Sequence, residues 1–297
     1  MNDKQKTFYL VVFQYPDMID KLFKIFSNHT RSLEILYLLD DIKKAVRLDA
    51  NDIELKQIRK FCNKENLHLE VSDFKVVKVI DKGKGAYANI VKKVPINYLE
   101  PGLHHIYISK DADKAKFLKL LENKNDDKAI GELLGYPKCC VDFFMENREK
   151  QQKIQNDYIL PALDNSQGFK FPFYTNYAIR YFDITLLSHF PHSFYCEESI
   201  NMAKNNLQCI KNYSKELANN FETMLKGPVL YTENNGVFSF RNYRLNNNIL
   251  EFGNVLPTKN NELLTMLNKD KKIIIINKNQ IELNNKIIED AGFMLFI

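Results

Sequence analysis

Cysteine and histidine side chains are concentrated in two segments of the chain, residues 139–140 and 189–196. Thiolates and imidazoles are ligands that zinc prefers, and three cysteines with one histidine suit its tetrahedral geometry. His192 and Cys196 lie four residues apart, a spacing that is compatible with binding of a common ion. The predicted ligands of this metal site are Cys139, Cys140, His192 and Cys196.

Both cysteine segments are predicted to lie at the start of a helix. Pro137 precedes the first segment. In the second segment Pro191 ends one helix and Ser193 is the predicted cap of the next, so that Cys196 falls in its first turn. The amide dipoles at a helix start favour the thiolate, which is the form of cysteine that binds metals or attacks electrophiles.

The two adjacent cysteines leave the identity of the metal open. Neighbouring residues of a helix point about 100° apart, so Cys139 and Cys140 both reach one small ion only if the first turn is unwound. An iron–sulfur cluster is wider and accepts two adjacent thiolates more easily, although histidine is a less usual ligand there. Zinc and an iron–sulfur cluster therefore remain alternative cofactors.

Packing and thiol chemistry are the competing interpretations of the cysteines. Free cysteine is among the most buried residue types, so Cys62 and Cys209 are predicted to be core residues, and Cys139 and Cys140 have aromatic neighbours to pack against. A redox-active or nucleophilic thiol site is the further alternative. An odd number of cysteines without a secretory context argues against a disulfide framework.

Polar side chains precede the second segment on a helix that is predicted over residues 176–188. Asn176, Arg180 and Asp183 are spaced to lie on one face of that helix. A guanidinium group binds carboxylates and phosphates in bidentate geometry. We therefore predict that Arg180 and Asn176 position a small anionic substrate and that His189 is a metal ligand or a general base. An exposed polar helix face is the alternative.

The composition is that of a globular protein, with 45% hydrophobic and 27% charged residues in 297. The net charge of +5 is carried by lysines spread along the chain, which leaves a nucleic-acid partner possible without indicating one. The apolar run at residues 8–13 is too short to span a membrane and lacks a signal-peptide cleavage site. We expect a cytoplasmic protein without a membrane partner.

The periodicity of apolar residues predicts an α+β protein in three parts: a mixed α/β unit at residues 1–110, a helical unit with the Cys/His site at 111–226 and a β-rich unit at 227–297. The predicted elements of the first unit are a strand at residues 7–14, a helix at 33–48 behind Ser32, a helix after Asn51 with Glu54 in a capping box, strands within 67–80, a turn at 81–85 and a strand at 106–109. Later elements include a helix at 194–225 and a hairpin at 228–240.

Several motifs resemble those of an archaeal, largely methanogen, family known only as domain of unknown function 483. They are GELLGYPKCC at residues 131–140, FPFYTN at 171–176, SHFP at 188–191, ILYLL at 35–39 and GKG at 83–85, so the resemblance extends over most of the chain. It implies an archaeal cytoplasmic protein and supplies no established activity. In that family the position of His192 is commonly cysteine, so the histidine here argues against a cysteine-only cluster and is compatible with a mixed-ligand site.

Three functional hypotheses follow from these residues. The first is a metal-binding protein, with zinc or an iron–sulfur cluster, that acts as an enzyme on a small anionic substrate; its reaction is not indicated by the sequence. The second is a non-catalytic scaffold or nucleic-acid-associated protein in which the metal only stabilises the helical unit. The third is a thiol redox protein, which requires two cysteines within disulfide reach and no third ligand nearby.

Overall fold

The computed structural model describes residues 17–78, 91–152, 157–289 and 291–297. Within these ranges the chain is an α+β protein with two sheets, one near each end of the sequence, and a largely helical segment between them. The α+β class and the order of its three parts are confirmed. The strand predicted at residues 7–14 and the turn predicted at residues 81–85 lie outside the described residues.

An antiparallel four-stranded sheet with three helices forms the first part. The strands, in the spatial order β1-β4-β2-β3, are β1 Ala45–Ala50, β2 His68–Lys78, β3 Val91–Pro95 and β4 Leu103–Ser109. The helices are α1 Asp17–Phe26, α2 His29–Leu39 and α3 Asp52–Lys64. The predicted capping box at the start of α3 is confirmed, since Asn51 and Glu54 accept hydrogen bonds from each other's backbone N–H groups.

The helix predicted at residues 33–48 is wrong at both ends. The helix α2 begins earlier, because the side chain of Asn28, and not of Ser32, caps it. It ends at Leu39, and Asp41 then adopts a left-handed conformation with φ 58° that turns the chain into β1. The apolar residues of α2 and β1 face the same core. Taken together in the sequence, they have the spacing of one continuous apolar helix face, and this spacing led to the longer predicted helix.

Six helices form in the described residues of the central part, 112–152 and 157–226. They are α4 Ala112–Lys124, α5 Asp127–Leu133, α6 Lys138–Gln152, α7 Ile159–Asp164, α8 Glu197–Tyr213 and α9 Lys215–Leu225. Two predictions are wrong here. Residues 176–188 contain only a short 3-10 helix, Ala178–Phe182, which the left-handed Asp183 ends. The helix predicted at 194–225 is divided at Ser214, whose extended backbone ends α8 and whose side chain caps α9.

An eight-stranded sheet forms most of the last part. Its strands are β5 Lys170–Phe171, β6 Gly227–Thr232, β7 Gly236–Asn246, β8 Ile249–Pro257, β9 Lys272–Asn277, β10 Gln280–Leu283, β11 Lys286–Ile288 and β12 Ala291–Phe296, and the helix α10 Glu262–Asp270 packs against it. The spatial order is β11-β10-β9-β8-β7-β6-β12-β5, with β12 and β5 parallel. The predicted hairpin is confirmed as the β6–β7 pair.

The largest hydrophobic core joins side chains from all three parts of the chain. Its fully buried members include Ile35 from α2, Ile106 from β4, Phe171 from β5, Phe221 from α9 and Phe296 from β12. The division at residues 110 and 226 stays a prediction, but this shared core holds the central helices against both sheets. In the part of the chain that the structure describes, every helix is too short or too polar to cross a lipid bilayer.

Candidate metal centre

The turn before α6 determines where the two adjacent cysteines lie. The helix α5 ends in a Schellman motif: Gly135 is left-handed, with φ 79°, and the backbone N–H of Tyr136 donates to the carbonyl of Gly131. Pro137 follows, and α6 starts at Lys138. Gly135 and Pro137 thus end α5, and the turn they form places two thiols in the first turn of α6.

The first turn of α6 is tighter than a regular α-helical turn. The backbone N–H groups of Cys140 and Val141 both donate to the carbonyl of Pro137, at 2.9 and 3.0 Å, so a 3-10 bond overlaps the first α-helical bond. In this turn the sulfurs of Cys139 and Cys140 lie 4.0 Å apart. Two adjacent helical residues therefore do reach a common centre, and they do so in a tightened first turn in place of the unwound one that was expected.

The third thiol lies at the start of α8. A turn in which the N–H of Cys196 donates to the carbonyl of Ser193 precedes the helix, and Cys196 itself occupies the cap position. The prediction that Ser193 caps this helix is wrong, because the Ser193 hydroxyl bonds to Ser166 and to the N–H of Tyr195 inside that turn. Cys196 makes no side-chain cap bond, and its sulfur is directed to the other thiols.

The four predicted ligands converge. The sulfur of Cys196 lies 3.7 Å from each of the other two sulfurs, and Nδ1 of His192 lies 3.6 Å from the sulfur of Cys140. All four ligand atoms lie within 4.8 Å of one another. The predicted grouping of these residues is thus present, and it could hold a metal ion. The other two cysteines, Cys62 and Cys209, are buried elsewhere in the core, as predicted.

The thiols differ in exposure and in their hydrogen bonds. Cys140 and Cys196 are buried, whereas Cys139 is partly exposed. A hydrogen bond with Cys196 and burial raise the pKa of Cys140, and burial raises that of Cys139. The reciprocal hydrogen bond from Cys140 lowers the pKa of Cys196 to about 4. Negative charge is therefore stabilised first on Cys196.

Further polar groups hold the cluster in place. The backbone N–H of His192 donates to the sulfur of Cys140 at 3.4 Å, and the hydroxyl of Ser199 lies 3.3 Å from the same sulfur. On its other side that hydroxyl lies 2.9 Å from Nε2 of His189. Ser199 was not predicted, although it lies three residues after Cys196 and so on the same side of the first turn of α8.

His189 lies next to the cluster and is not one of its grouped ligands. Its side chain is buried, and burial together with the charge of Lys43 lowers its pKa to about 3, so the imidazole is neutral. The ring of Tyr136 lies against it, with the ring centroids 5.1 Å apart. The role predicted for His189, a ligand or a general base, stays a prediction.

The polar residues predicted on one helix face point to three different places. The amide of Asn176 donates to the carbonyl of Leu225, in the core. Asp183 accepts hydrogen bonds from the backbone N–H groups of His29 and Thr30 at the start of α2. Since residues 176–188 are not an α-helix, the spacing that suggested a common face does not apply.

Arg180 is buried in an aromatic environment. Its guanidinium group forms an ion pair with Asp157 and packs on the rings of Tyr177, Tyr181 and Phe190. Tyr181 also donates to Asp157. The charge of Arg180 is thus balanced by a buried carboxylate. Substrate positioning by Arg180 and Asn176 stays a prediction, and both residues have structural contacts that account for their burial.

A cavity of about 190 Å³ lies beside the cluster, between β1, α5, α6 and residues 188–190. Polar groups line it on several sides: Arg47, Asp127, Ser188, His189 and the thiol Cys140. The rings of Tyr136, Phe144 and Phe190 form part of the remaining wall. Sequence reasoning did not predict it, because Arg47 reaches it from β1, more than eighty residues before α6.

Comparison with known proteins places the central segment in a family. No curated protein and no solved structure matches the chain. A family model described as "Protein of unknown function (DUF483)" matches residues 114–226, a range that contains all four grouped ligands, His189 and Ser199. The resemblance to this family that the motifs suggested is therefore confirmed over residues 114–226.

Proposed function

We propose that this protein binds one zinc ion through Cys139, Cys140, His192 and Cys196, and that the ion has a structural role. The distances between the ligand atoms support zinc. Zinc–sulfur bonds of about 2.3 Å in a regular tetrahedron separate two sulfurs by about 3.8 Å, and a zinc–nitrogen bond of about 2.0–2.1 Å separates sulfur from nitrogen by about 3.6 Å. The three sulfur–sulfur distances here are 3.7–4.0 Å, Nδ1 of His192 lies 3.6 Å from the sulfur of Cys140, and all four ligand atoms lie within 4.8 Å of one another.

The same distances argue against an iron–sulfur cluster. A cluster divides its protein ligands among two or more irons, so some of its cysteine sulfurs lie farther apart than one tetrahedral edge. All three sulfurs of the centre lie within 4.0 Å of one another, which is the spacing of ligands on a single ion. A thiol redox site is also less well supported, because a third thiol and an imidazole adjoin each pair of cysteines.

A closed ligand set supports a structural role. Structural zinc sites have four protein ligands, whereas catalytic sites keep one position for water or substrate. The four ligands come from the start of α6, the start of α8 and the segment before α8. An ion at this point fixes the starts of α6 and α8 relative to each other.

Metal analysis of the full chain, purified without added chelator, tests the proposal. We expect one zinc per chain, no visible absorption band, and loss of zinc in Cys139→Ser, Cys140→Ser and Cys196→Ser variants. Cys62→Ser and Cys209→Ser are matched controls, since these buried cysteines lie outside the centre. Iron with sulfide, or full zinc content in the three ligand variants, would overturn the proposal.

Catalysis is the second candidate function, and the cavity favours it. The thiol Cys140 and the neutral imidazole of His189 both line this cavity, so a molecule bound there would lie beside the metal centre. A catalytic zinc would need to release one ligand, and Cys139 is the most exposed of the three thiols. The ligand-field (d–d) absorption of a cobalt-substituted protein would reveal a fifth or displaced ligand when a small molecule binds.

A further inference from the structure

One residue that lines the cavity carries a buried polar atom without a partner. His189 is only 6% exposed, and its Nε2 lies 2.9 Å from the hydroxyl of Ser199. Its Nδ1 is buried, and no described residue forms a hydrogen bond with it. Buried polar atoms without a partner are uncommon in folded proteins and call for a ligand or water. His189 lines the cavity, so the cavity is where such a partner would bind.

The metal centre determines whether this atom donates or accepts. A metal-bound thiolate accepts hydrogen bonds only, so the hydroxyl of Ser199 donates its one hydrogen to the sulfur of Cys140. The same hydroxyl must then accept from Nε2 of His189, which carries the ring hydrogen. Nδ1 is left with a lone pair. Because burial keeps this imidazole neutral, the cavity wall offers a hydrogen-bond acceptor.

A positive group lines the same cavity. Of the guanidinium nitrogens of Arg47, Nη1 donates to Glu122, and no other described residue binds the group. Its remaining N–H donors match the two oxygens of a carboxylate. The other acid in the wall, Asp127, is neutralised by Arg148 at 2.7 Å. Arg47 shares the carboxylate of Glu122 with Lys93, which lies 3.2 Å from it, so the guanidinium group keeps N–H donors for a ligand beyond this shared ion pair.

The remaining walls favour a flat molecule. The rings of Tyr136, Phe144 and Phe190 line the cavity, and Tyr136 lies against the imidazole of His189. Aromatic walls bind planar groups by offset stacking and by burial of apolar surface. A volume of about 190 Å³ suits a compact molecule such as a single ring with two polar substituents.

We propose that this cavity binds a small planar carboxylate, whose carboxylate group pairs with Arg47 and whose hydroxyl or N–H group donates to Nδ1 of His189. The proposal rests on the proposed zinc site in one step, the direction of the Ser199 hydrogen bond. The cavity would then be a ligand site beside the metal centre, and small planar carboxylates would be its class of ligand.

Calorimetric titration of the zinc-loaded full chain with three probes tests it. 4-Hydroxybenzoate carries both groups, benzoate lacks the donor and phenol lacks the anion. We expect 4-hydroxybenzoate to bind at millimolar concentrations or below, and each of the other two to bind at least about tenfold more weakly, because each loses one polar contact with the cavity wall. Absence of binding by all three probes would overturn the proposal.

Two variants assign the contacts. His189→Phe should remove the preference for 4-hydroxybenzoate over benzoate, and Arg47→Gln the preference over phenol. His68→Asn and Arg59→Gln alter exposed residues outside the cavity and should leave both preferences unchanged. Preferences that survive in His189→Phe and Arg47→Gln would contradict the proposal.

A measurement on the unmodified protein covers the case in which a variant does not fold. The ¹⁵N resonance of Nδ1 in His189 should shift when 4-hydroxybenzoate is added and remain in place when benzoate is added. Equal response to both probes would contradict the assigned hydrogen bond. Zinc content is measured in parallel. Absence of zinc from the purified chain would overturn the proposed metal site, and the ligand site would still be supported if the same chain kept these ligand preferences.

Discussion

The buried hydroxyl of Ser199 lies 3.3 Å from the sulfur of Cys140. This contact connects the cluster to His189 and to the cavity beyond it. Hydrogen bonds to a coordinating atom orient the ligand and tune its affinity for the metal. The strength of zinc binding should therefore depend on a residue that does not touch the ion.

Replacement of Ser199 by alanine should weaken zinc binding by about 10-fold without unfolding the chain, because losing such an outer contact typically costs about 10–100-fold in affinity. Competition with a chromogenic chelator measures the change. Thr223→Ala, which removes an exposed hydroxyl from α9, is the control. An unchanged affinity in Ser199→Ala would show that the contact has no effect on the centre.

Replacement of His192 by cysteine should keep one zinc per chain, because a fourth thiolate also completes a tetrahedral site. Replacement of His192 by alanine removes the ligand and should lower zinc content. Elemental analysis of both variants measures the difference. Equal zinc content in the two would mean that His192 does not bind the ion, although Nδ1 lies 3.6 Å from the nearest sulfur.

Arg180→Ala should destabilise the protein by about 3–5 kcal/mol, because it leaves the buried carboxylate of Asp157 without its partner. Urea unfolding measures the free energy, and zinc content should not change. Arg59→Ala, at an exposed position of α3, should stay within about 0.5 kcal/mol of the unmodified protein. A stability like that of the control would favour a functional role for Arg180.

The carboxylate of Asp183 should make stability depend on pH in the acid range. Burial raises its pKa, but the hydrogen bonds from His29 and Thr30 outweigh burial, and the net pKa is below the ordinary value of 3.8. A lowered pKa in the folded state means that the stabilisation is complete above the ordinary value and is lost as the pH falls through the lowered one.

Asp183→Asn should therefore be less stable than the unmodified protein at neutral pH, by about 1 kcal/mol, and this difference should shrink in acid. Asparagine tolerates the left-handed backbone at this position, so no new strain is added. Unfolding of both proteins at several pH values, each with zinc removed, measures the difference. A difference that does not vary with pH would contradict the assignment.

Gly135→Ala should lower both stability and zinc affinity. A side chain at φ 79° costs about 1–2 kcal/mol, and relaxing this strain would move the start of α6 and its two thiols. Gly236→Ala is the matched control: Gly236 also has a positive φ, at the start of β7, and its replacement should reduce stability alone. Unchanged zinc affinity in Gly135→Ala would show that the turn does not position the thiols.

The grouping of the metal-site residues could be predicted because the necessary signals are local. Residue type, two prolines and the four-residue spacing of His192 and Cys196 brought the ligands together without knowledge of the fold. The same local reasoning failed at Arg180, where the i, i+4 pattern implied a helix that the chain does not form. Its partner Asp157 lies in a separate segment, and nothing in the pattern relates the two.

The cavity depends on contacts between distant parts of the chain. Lys43 donates to Ser188 across 145 residues, and Arg47 reaches the same region from β1. No periodicity encodes such contacts, because they arise when the shared core brings the first sheet against the central helices. The predicted helix was also wrong at residues 45–48, which belong to β1. It therefore gave no indication that Arg47 lies near the central helices.

Cys140 and Cys196 are separated by 56 residues, yet their sulfurs lie 3.7 Å apart. An ion that binds both closes a loop of that length, and a cross-link of this size removes conformational freedom from the unfolded chain worth about 4 kcal/mol. A disulfide would have a similar effect but opens in the presence of reducing thiols. A metal cross-link keeps its stabilising effect under reducing conditions. The size of this stabilisation depends on the concentration of free metal ions and not on the surrounding redox potential.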